Sequence, residues 1–259
     1  MLQIAPEKCS ITFFTPDKSR QSKIHPQVSI ARSAIPLDKT PRILGVRLDT
    51  HYTFSSHAMD VVRFCKNKLR TLRALAGSGW GCQKEVLLRA YKTYVEPCIN
   101  YAAPIWAPNV SASSISLIQR IQNRALRIAT GCHMASSLSH IHQEAKFAFT
   151  SDHLSMLCSQ FLASSLCPSH PSNAVVTAPP GPRPMKHTLK SKYFSSVEPL
   201  LVNGSVDTAN HRATLSQIHT QAVNNTISKL EPNPLLGTTP PPISPSESRL
   251  PRNQRTTLA

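Results

Sequence analysis

The chain is short of carboxylates. Its 259 residues hold 13 Asp and Glu against 29 Lys and Arg, a formal charge of +16 at pH 7. The six aspartates, Asp17, Asp38, Asp49, Asp60, Asp152 and Asp207, are scattered and no two are adjacent. The clustered carboxylates that hold two cations about 4 Å apart for phosphoryl transfer are therefore missing. Glycine is scarce too, at 8 residues, and builds no glycine-rich phosphate loop. No apolar run approaches the roughly 18 residues of a membrane span. Pro6, Glu7 and Lys8 interrupt the stretch where a secretory signal needs its apolar core. The seven cysteines, Cys9, Cys65, Cys82, Cys98, Cys132, Cys158 and Cys167, contain no CxxC pair, which excludes a zinc ribbon or a thioredoxin-type motif. The nearest approach to a metal cluster is Cys132-His133, His140-x-His142, His153 and Cys158. Its apparent pairs are adjacent or one residue apart, the wrong spacing for zinc, so no metal ligands and no cofactor are expected. Dispersed cysteines without an export signal point to reduced thiols inside the cell, nucleus or cytoplasm.

Cations and prolines are what the chain has in excess. A charge of +16 repels itself unless an anionic partner offsets it. Nucleic acid is the favoured partner on that footprint, and no membrane is expected. The 22 prolines fall mostly in the last third, where extended, solvated backbone is favoured over a packed core. The fold class expected is α+β, mostly α: a small antiparallel sheet, a helical bundle and a largely disordered Pro-rich tail.

Three regions carry that reading. In residues 1–54, Ser10–Phe14, Gln27–Ile30, Ile35–Leu37 and Ile43–Leu48 are short strand candidates, with turn chemistry at Pro16–Ser19 and a bulge or close approach at Gly45. In residues 55–166 the pattern is helical. One helix starts near Ser55 or Ser56, repeats Val61, Val62, Cys65, Leu69, Leu72 and Ala76, and ends at Gly77-Ser78-Gly79. A second runs from about Gln83 to Glu96 with Val86, Leu87, Tyr91, Tyr94 and Val95 buried. A third, capped by Ser111 or Ser113 and closed by Gly131, buries Ile118, Ile121, Ala125, Ile128 and Ala129, flanked by Leu117. A weaker helix spans about Asp152 to Leu166. Residues 167–259 form the tail, with one helix at 209–230 whose face would be Leu215, Ile218, Ala222 and Ile227.

Two basic stripes stand out on these helices. Arg120, Arg124 and Arg127 lie within about 60° of one another at 100° per residue, opposite the apolar face. Arg63, Lys66, Arg70 and Arg73 form a similar stripe beside the apolar face of the first helix. Neither stripe contains a carboxylate as an i,i+4 partner. The arrangement suits sequence-independent contact with phosphates through Lys66, Arg70, Arg73, Arg120, Arg124 and Arg127. A solvated surface, or a face that meets an acidic protein, stays open as an alternative.

Several phrases resemble one family. Ala5-Pro6-Glu7-Lys8-Cys9 before Ile11-Thr12-Phe13-Phe14 is similar to the stretch that follows the catalytic Asp-Asp strand of reverse transcriptases. Thr40-Pro41-Arg42-Ile43-Leu44-Gly45-Val46-Arg47-Leu48-Asp49, then Thr53-Phe54 and His57, resembles a segment of non-LTR (LINE, Jockey-like) retrotransposon polyproteins. So do Gly77–Gly81, Leu87-x3-Tyr91-Lys92, Tyr101–Trp106 and Ile118–Gly131, in family order over residues 1 to about 170. The resemblance implies the carboxyl-terminal part of a reverse transcriptase, an RNA-directed DNA polymerase. Residues 1–54 would be the end of the palm, with Lys8 near the triphosphate assisting proton transfer, and Leu44 and Gly45 in the primer-grip hairpin. Residues 55–166 would be the thumb that holds an RNA/DNA template-primer, with Trp80, Tyr91, Tyr101 and Trp106 as its core. Residues 167–259 would be a linker tail. The fingers and the Tyr-x-Asp-Asp strand would precede Met1, so the missing amino-terminal polymerase portion is an expected partner. Mg2+ is expected only for the intact polymerase. The chain reads as a shortened or decayed copy, not catalytic by itself. The rival is a basic nucleic-acid-binding or protein-interaction module unrelated to polymerases.

Overall fold

The computed structural model describes residues 5–15, 27–77, 81–179, 188–201, 206 and 210–230. The expected turn at Pro16–Ser19, Trp80, and the prolines from Pro232 onward lie outside the described residues. The first region holds two separate antiparallel ribbons. β1 (Ser29–Ile30) pairs with β2 (Ser33–Ala34), and β3 (Arg42–Ile43) with β4 (Val46–Arg47). The turn of each ribbon has both central residues at positive φ, Ala31 and Arg32 in the first, Leu44 and Gly45 in the second. That turn sense matches the right-handed twist of paired strands. Pro36 and Pro41 lack the N–H that a longer ladder would need, which keeps the strands short. The Ser10–Phe14 run contributes one parallel bridge, Ile11 to Leu37, and no strand of its own.

Helix α1 (Ser55–Leu75) follows Phe54, which is buried and left-handed at φ 53°. Ser55, expected as a cap, is the first helical residue, and its N–H donates to Thr53 Oγ1 at 3.5 Å. Ala58, Val61, Val62, Cys65, Leu69 and Leu72 are buried, and α1 packs on α5 (Ala112–Thr130). The α5 helix begins and ends as its sequence demands. Ser111 Oγ accepts from the Ser114 N–H at 3.3 Å, and Gly131 closes the helix at φ 79°. Both satisfy groups that a helix end leaves unpaired.

The second expected helix is interrupted. α2 (Lys84–Ala90) passes into a wide π turn at Tyr91–Val95 and re-forms as α3 (Glu96–Asn100). Pro97 has no N–H to give to Thr93, and its ring would crowd that carbonyl in an ordinary α-helix. The wide turn also fixes which side chains face inward. Leu87, Tyr91, Val95 and Ile99, each four residues apart, are all buried, whereas Val86 and Tyr94, expected inside, are exposed. A short α4 (Ala103–Trp106) brings Trp106 fully into the core, its Nε1 donating to Tyr101 O at 2.9 Å.

A polar seam fastens the next two helices, α6 (Leu138–Ala145) and α7 (Thr150–Ser165), to α5. Gln122 Nε2 donates to Ala148 O at 3.0 Å, and the Thr150 N–H donates to Gln119 Oε1 at 2.7 Å. His142 Nδ1 lies 2.9 Å from Phe147 O, and its Nε2 2.9 Å from Asn123 Oδ1. These buried polar groups are thus engaged, as a low-dielectric interior requires.

Beyond Ser165 there is more structure than the tail reading held. Short α8 (Asn173–Thr177) and α9 (Leu189–Val197) were not expected, and α10 (His211–Lys229) matches the helix at 209–230. α9 and α10 both pack on α7 around Leu162, Ala163, Leu166, Val197, Val206 and Ile218. The inward face of α10 is Thr214, Ile218, Ala222 and Thr226 instead of one ending at Ile227, which is exposed. Thr226 is held there because its hydroxyl donates to Asp152 Oδ2 at 3.0 Å, beside the Lys229–Asp152 ion pair.

Candidate nucleic-acid interface

The buried residues of α1 decide where its cations go. With Ala58, Val61, Val62, Cys65, Leu69 and Leu72 turned inward, Lys66, Arg70 and Arg73 fall about 70–130° away from the centre of the buried face. All three are exposed and make no ion pair or hydrogen bond among the described residues. On α5, Arg120 and Arg124 are likewise exposed and unpaired on the face opposite the core. Arg127 differs. It is half-buried, and its Nη2 donates to Ser136 O at 3.1 Å, which ties the loop after Gly131 back to the helix.

The carboxylates of the described helices give these cations little competition. Asp60 is engaged by arginines, Glu144 by Lys84 and Asp152 by Lys229, while Glu96 is buried beside His153. Glu7, Glu85 and Glu198 are the exposed ones. Because α1 packs directly on α5, both stripes ride on one rigid core.

The β3–β4 hairpin meets α1 at a second basic centre. Arg42 Nη2 lies 3.1 Å and Arg47 Nε 2.9 Å from Asp60 Oδ2, and Arg63 contacts Oδ1. Asp60 itself is only 7% exposed. Arg63 therefore has a partner, at i,i+3, contrary to the reading of its stripe as wholly unpaired. Below the cluster, the Arg47 N–H donates to His57 Nδ1 at 3.3 Å. Burial pushes the His57 pKa down; Asp60 works against this, and Arg42 and Arg47 reinforce it. The sequence reading missed the cluster as a unit. Its signal was the pair Arg42 and Arg47 flanking a two-residue turn, which places like charges opposite each other and calls for an anion.

The hairpin tip is presented outward. Leu44 is 86% exposed, and its carbonyl accepts from the Tyr101 hydroxyl at 2.5 Å. Tyr101, read as core, is instead 55% exposed, because its ring serves the hairpin rather than the bundle. Tyr91 and Trp106 are fully buried, as expected. Lys8 stands exposed at the end of a 3-10 turn, Pro6–Lys8.

Among the described residues no three His, Cys, Asp or Glu side chains converge. His142 belongs to the polar seam, and His153 Nε2 lies 2.9 Å from Asn100 Oδ1. All seven cysteines are free thiols, and burial raises the Cys158 thiol to about 11. No helix of the described residues is long and apolar enough to cross a membrane.

No family model matches the chain, and no solved structure matches it significantly. Two curated proteins of Drosophila melanogaster do. "Probable RNA-directed DNA polymerase from transposon X-element" is 30% identical over 136 residues, 52% of this chain. "Probable RNA-directed DNA polymerase from transposon BS" is 26% identical over 146 residues, 50% of this chain. Each match covers 15% of the relative's length. Both relatives agree with the resemblance read from the sequence motifs: the chain is reverse-transcriptase-like, matching a part of transposon-encoded RNA-directed DNA polymerases.

Proposed function

We propose that residues 55–166 are a thumb that grips an RNA/DNA template-primer through its sugar-phosphate backbone, without base preference. Residues 1–54 are then the end of a palm whose Leu44–Gly45 turn forms the primer grip, with Lys8 on the triphosphate side. The observation that carries this reading is the set Lys66, Arg70, Arg73, Arg120 and Arg124, exposed and unpaired on two helices packed against each other. The transposon polymerases that match half the chain support the choice of nucleic acid over an acidic protein. These 259 residues carry no adjacent aspartate pair, so the chain alone binds duplex and does not extend a primer; Mg2+ enters only with the intact polymerase.

Fluorescence anisotropy with a labelled RNA/DNA hybrid tests this directly. Binding should weaken steeply with salt, by about 0.7–0.9 decades of affinity per decade of salt for each neutralised phosphate. Charge reversal of Arg120 and Arg124, or of Lys66, Arg70 and Arg73, should abolish it. Unchanged binding in both variants would remove the thumb reading. Primer extension on an RNA template, with Mg2+ and deoxynucleotides supplied, should give no product; extension would overturn the non-catalytic assignment.

A further inference from the structure

The Asp60 cluster holds more positive charge than a structural tie requires. Arg42 and Arg47 stand directly opposite each other in the β3–β4 register, where two guanidinium groups repel. Asp60 answers both and also takes Arg63 from its own helix. One carboxylate balances one of three cations, and two positive charges remain. No other carboxylate among the described residues pairs with them.

The donor count leads the same way. Each guanidinium carries five N–H donors, whereas Asp60 offers two oxygens. Arg47 Nε, although 2.9 Å from Asp60 Oδ2, is not aligned for a hydrogen bond and is buried without a partner. The side chains of Arg42 and Arg63 are 47% and 65% exposed, so both cations are open to an incoming anion. A planar fork with free donors, held rigidly by its other edge, is the arrangement that recognises a phosphate.

Position adds a third reason. Arg63 and Arg70 are seven residues apart, so they lie within about 20° of each other and roughly 10.5 Å apart along α1. The cluster is thus the upstream end of the same line of cations that continues through Lys66, Arg70 and Arg73. We infer that Arg42, Arg47 and Arg63, gathered on Asp60 where the hairpin meets α1, form an anion site for a backbone phosphate of the bound duplex. The site rests on the nucleic-acid-gripping reading above and makes hairpin and helix one continuous phosphate track.

The test uses the full chain and a fluorescein-labelled RNA/DNA hybrid of arbitrary sequence, with affinity read across about 50–200 mM NaCl. Arg42→Gln with Arg63→Gln should lower affinity equally for all sequences and flatten the salt slope by about one, the share of a single phosphate. Arg63→Gln alone should flatten it by about one, and Arg63→Lys, which keeps the charge, should restore the slope. If circular dichroism finds the double variant unfolded, the single variant decides, since it leaves Arg42, Arg47 and Asp60 in place. Wild-type binding with Arg63→Gln unchanged in affinity and slope overturns the anion site and leaves the thumb reading standing. A wild-type chain that binds no hybrid overturns both.

Discussion

Gly45 meets two demands at once. Its φ of 84° lies in the left-handed region, and a methyl group there would come 3.5 Å from Tyr101 Cε1. The second figure is ordinary contact, so the cost of a side chain is backbone strain, not collision. Gly45→Ala should therefore destabilise the hairpin by about 1 kcal/mol. The measurable result is a slightly lower urea midpoint and weaker amide protection at Val46 and Arg47; faster exchange confined to α5 instead would contradict this account. Gly45 was legible in the sequence as a special backbone position, but as a bulge or close approach within one strand, whereas it is the second residue of a hairpin turn. Its docking on Tyr101 was not, because the partner lies 57 residues away and an aromatic in an apolar phrase reads first as core.

Helix α5 shows what makes an element legible. Its cap, its apolar period and its closing glycine all agree, and the structure follows the cap, the glycine and most of the period, with Leu126 buried and Ile128 only half-buried. Ser111→Ala removes one of those signals and should cost about 1 kcal/mol, visible as a lower midpoint in chemical denaturation. An unchanged midpoint would mean that α5 is held by its packing alone. The segment from Lys84 to Asn100 was read less well because Pro97 acts backwards, forcing the widened turn at Tyr91–Val95. Apolar residues at steps of four then suit a turn with more residues in it; at 3.6 residues per turn Tyr94 falls into their stripe wrongly, whereas Val86, about 100° from Leu87, has only its apolar character to suggest burial. α10 was misread for a different reason. Its inward threonines carry methyl groups into the core while their hydroxyls find acceptors, and an apolar-only pattern passes over them. The cations of α1 and α5 were legible because an apolar face dictates its opposite. The tie from Arg42 to Asp60 joins a strand to a helix, and no periodicity reports such a contact.

For the molecule as a whole, two buried imidazoles and one half-buried one shape the pH response. Burial holds His57, His142 and His153 below the ordinary histidine range. In the unfolded chain they take up protons below about pH 6.5, while the folded chain resists. Their contribution to stability is full above that point and is lost as pH falls through their lowered values. Glu96, pushed up by burial, has the opposite sign, favouring the fold as it protonates. With Glu96 replaced by Gln to remove that opposition, thermal melts should drop from pH 7.5 to 5.5; a melting point that rises over that interval would refute the assignment. The helix α7 has a further consequence, one of timing. Leu154 and Cys158 belong to the first core, and Leu162 and Ala163 to the second. On the ribosome, the second half of α7 emerges long before its cover at Val197 and Ile218. At about 5–20 residues per second it waits several seconds with its greasy side bare. That interval is when a nascent chain would need a chaperone most.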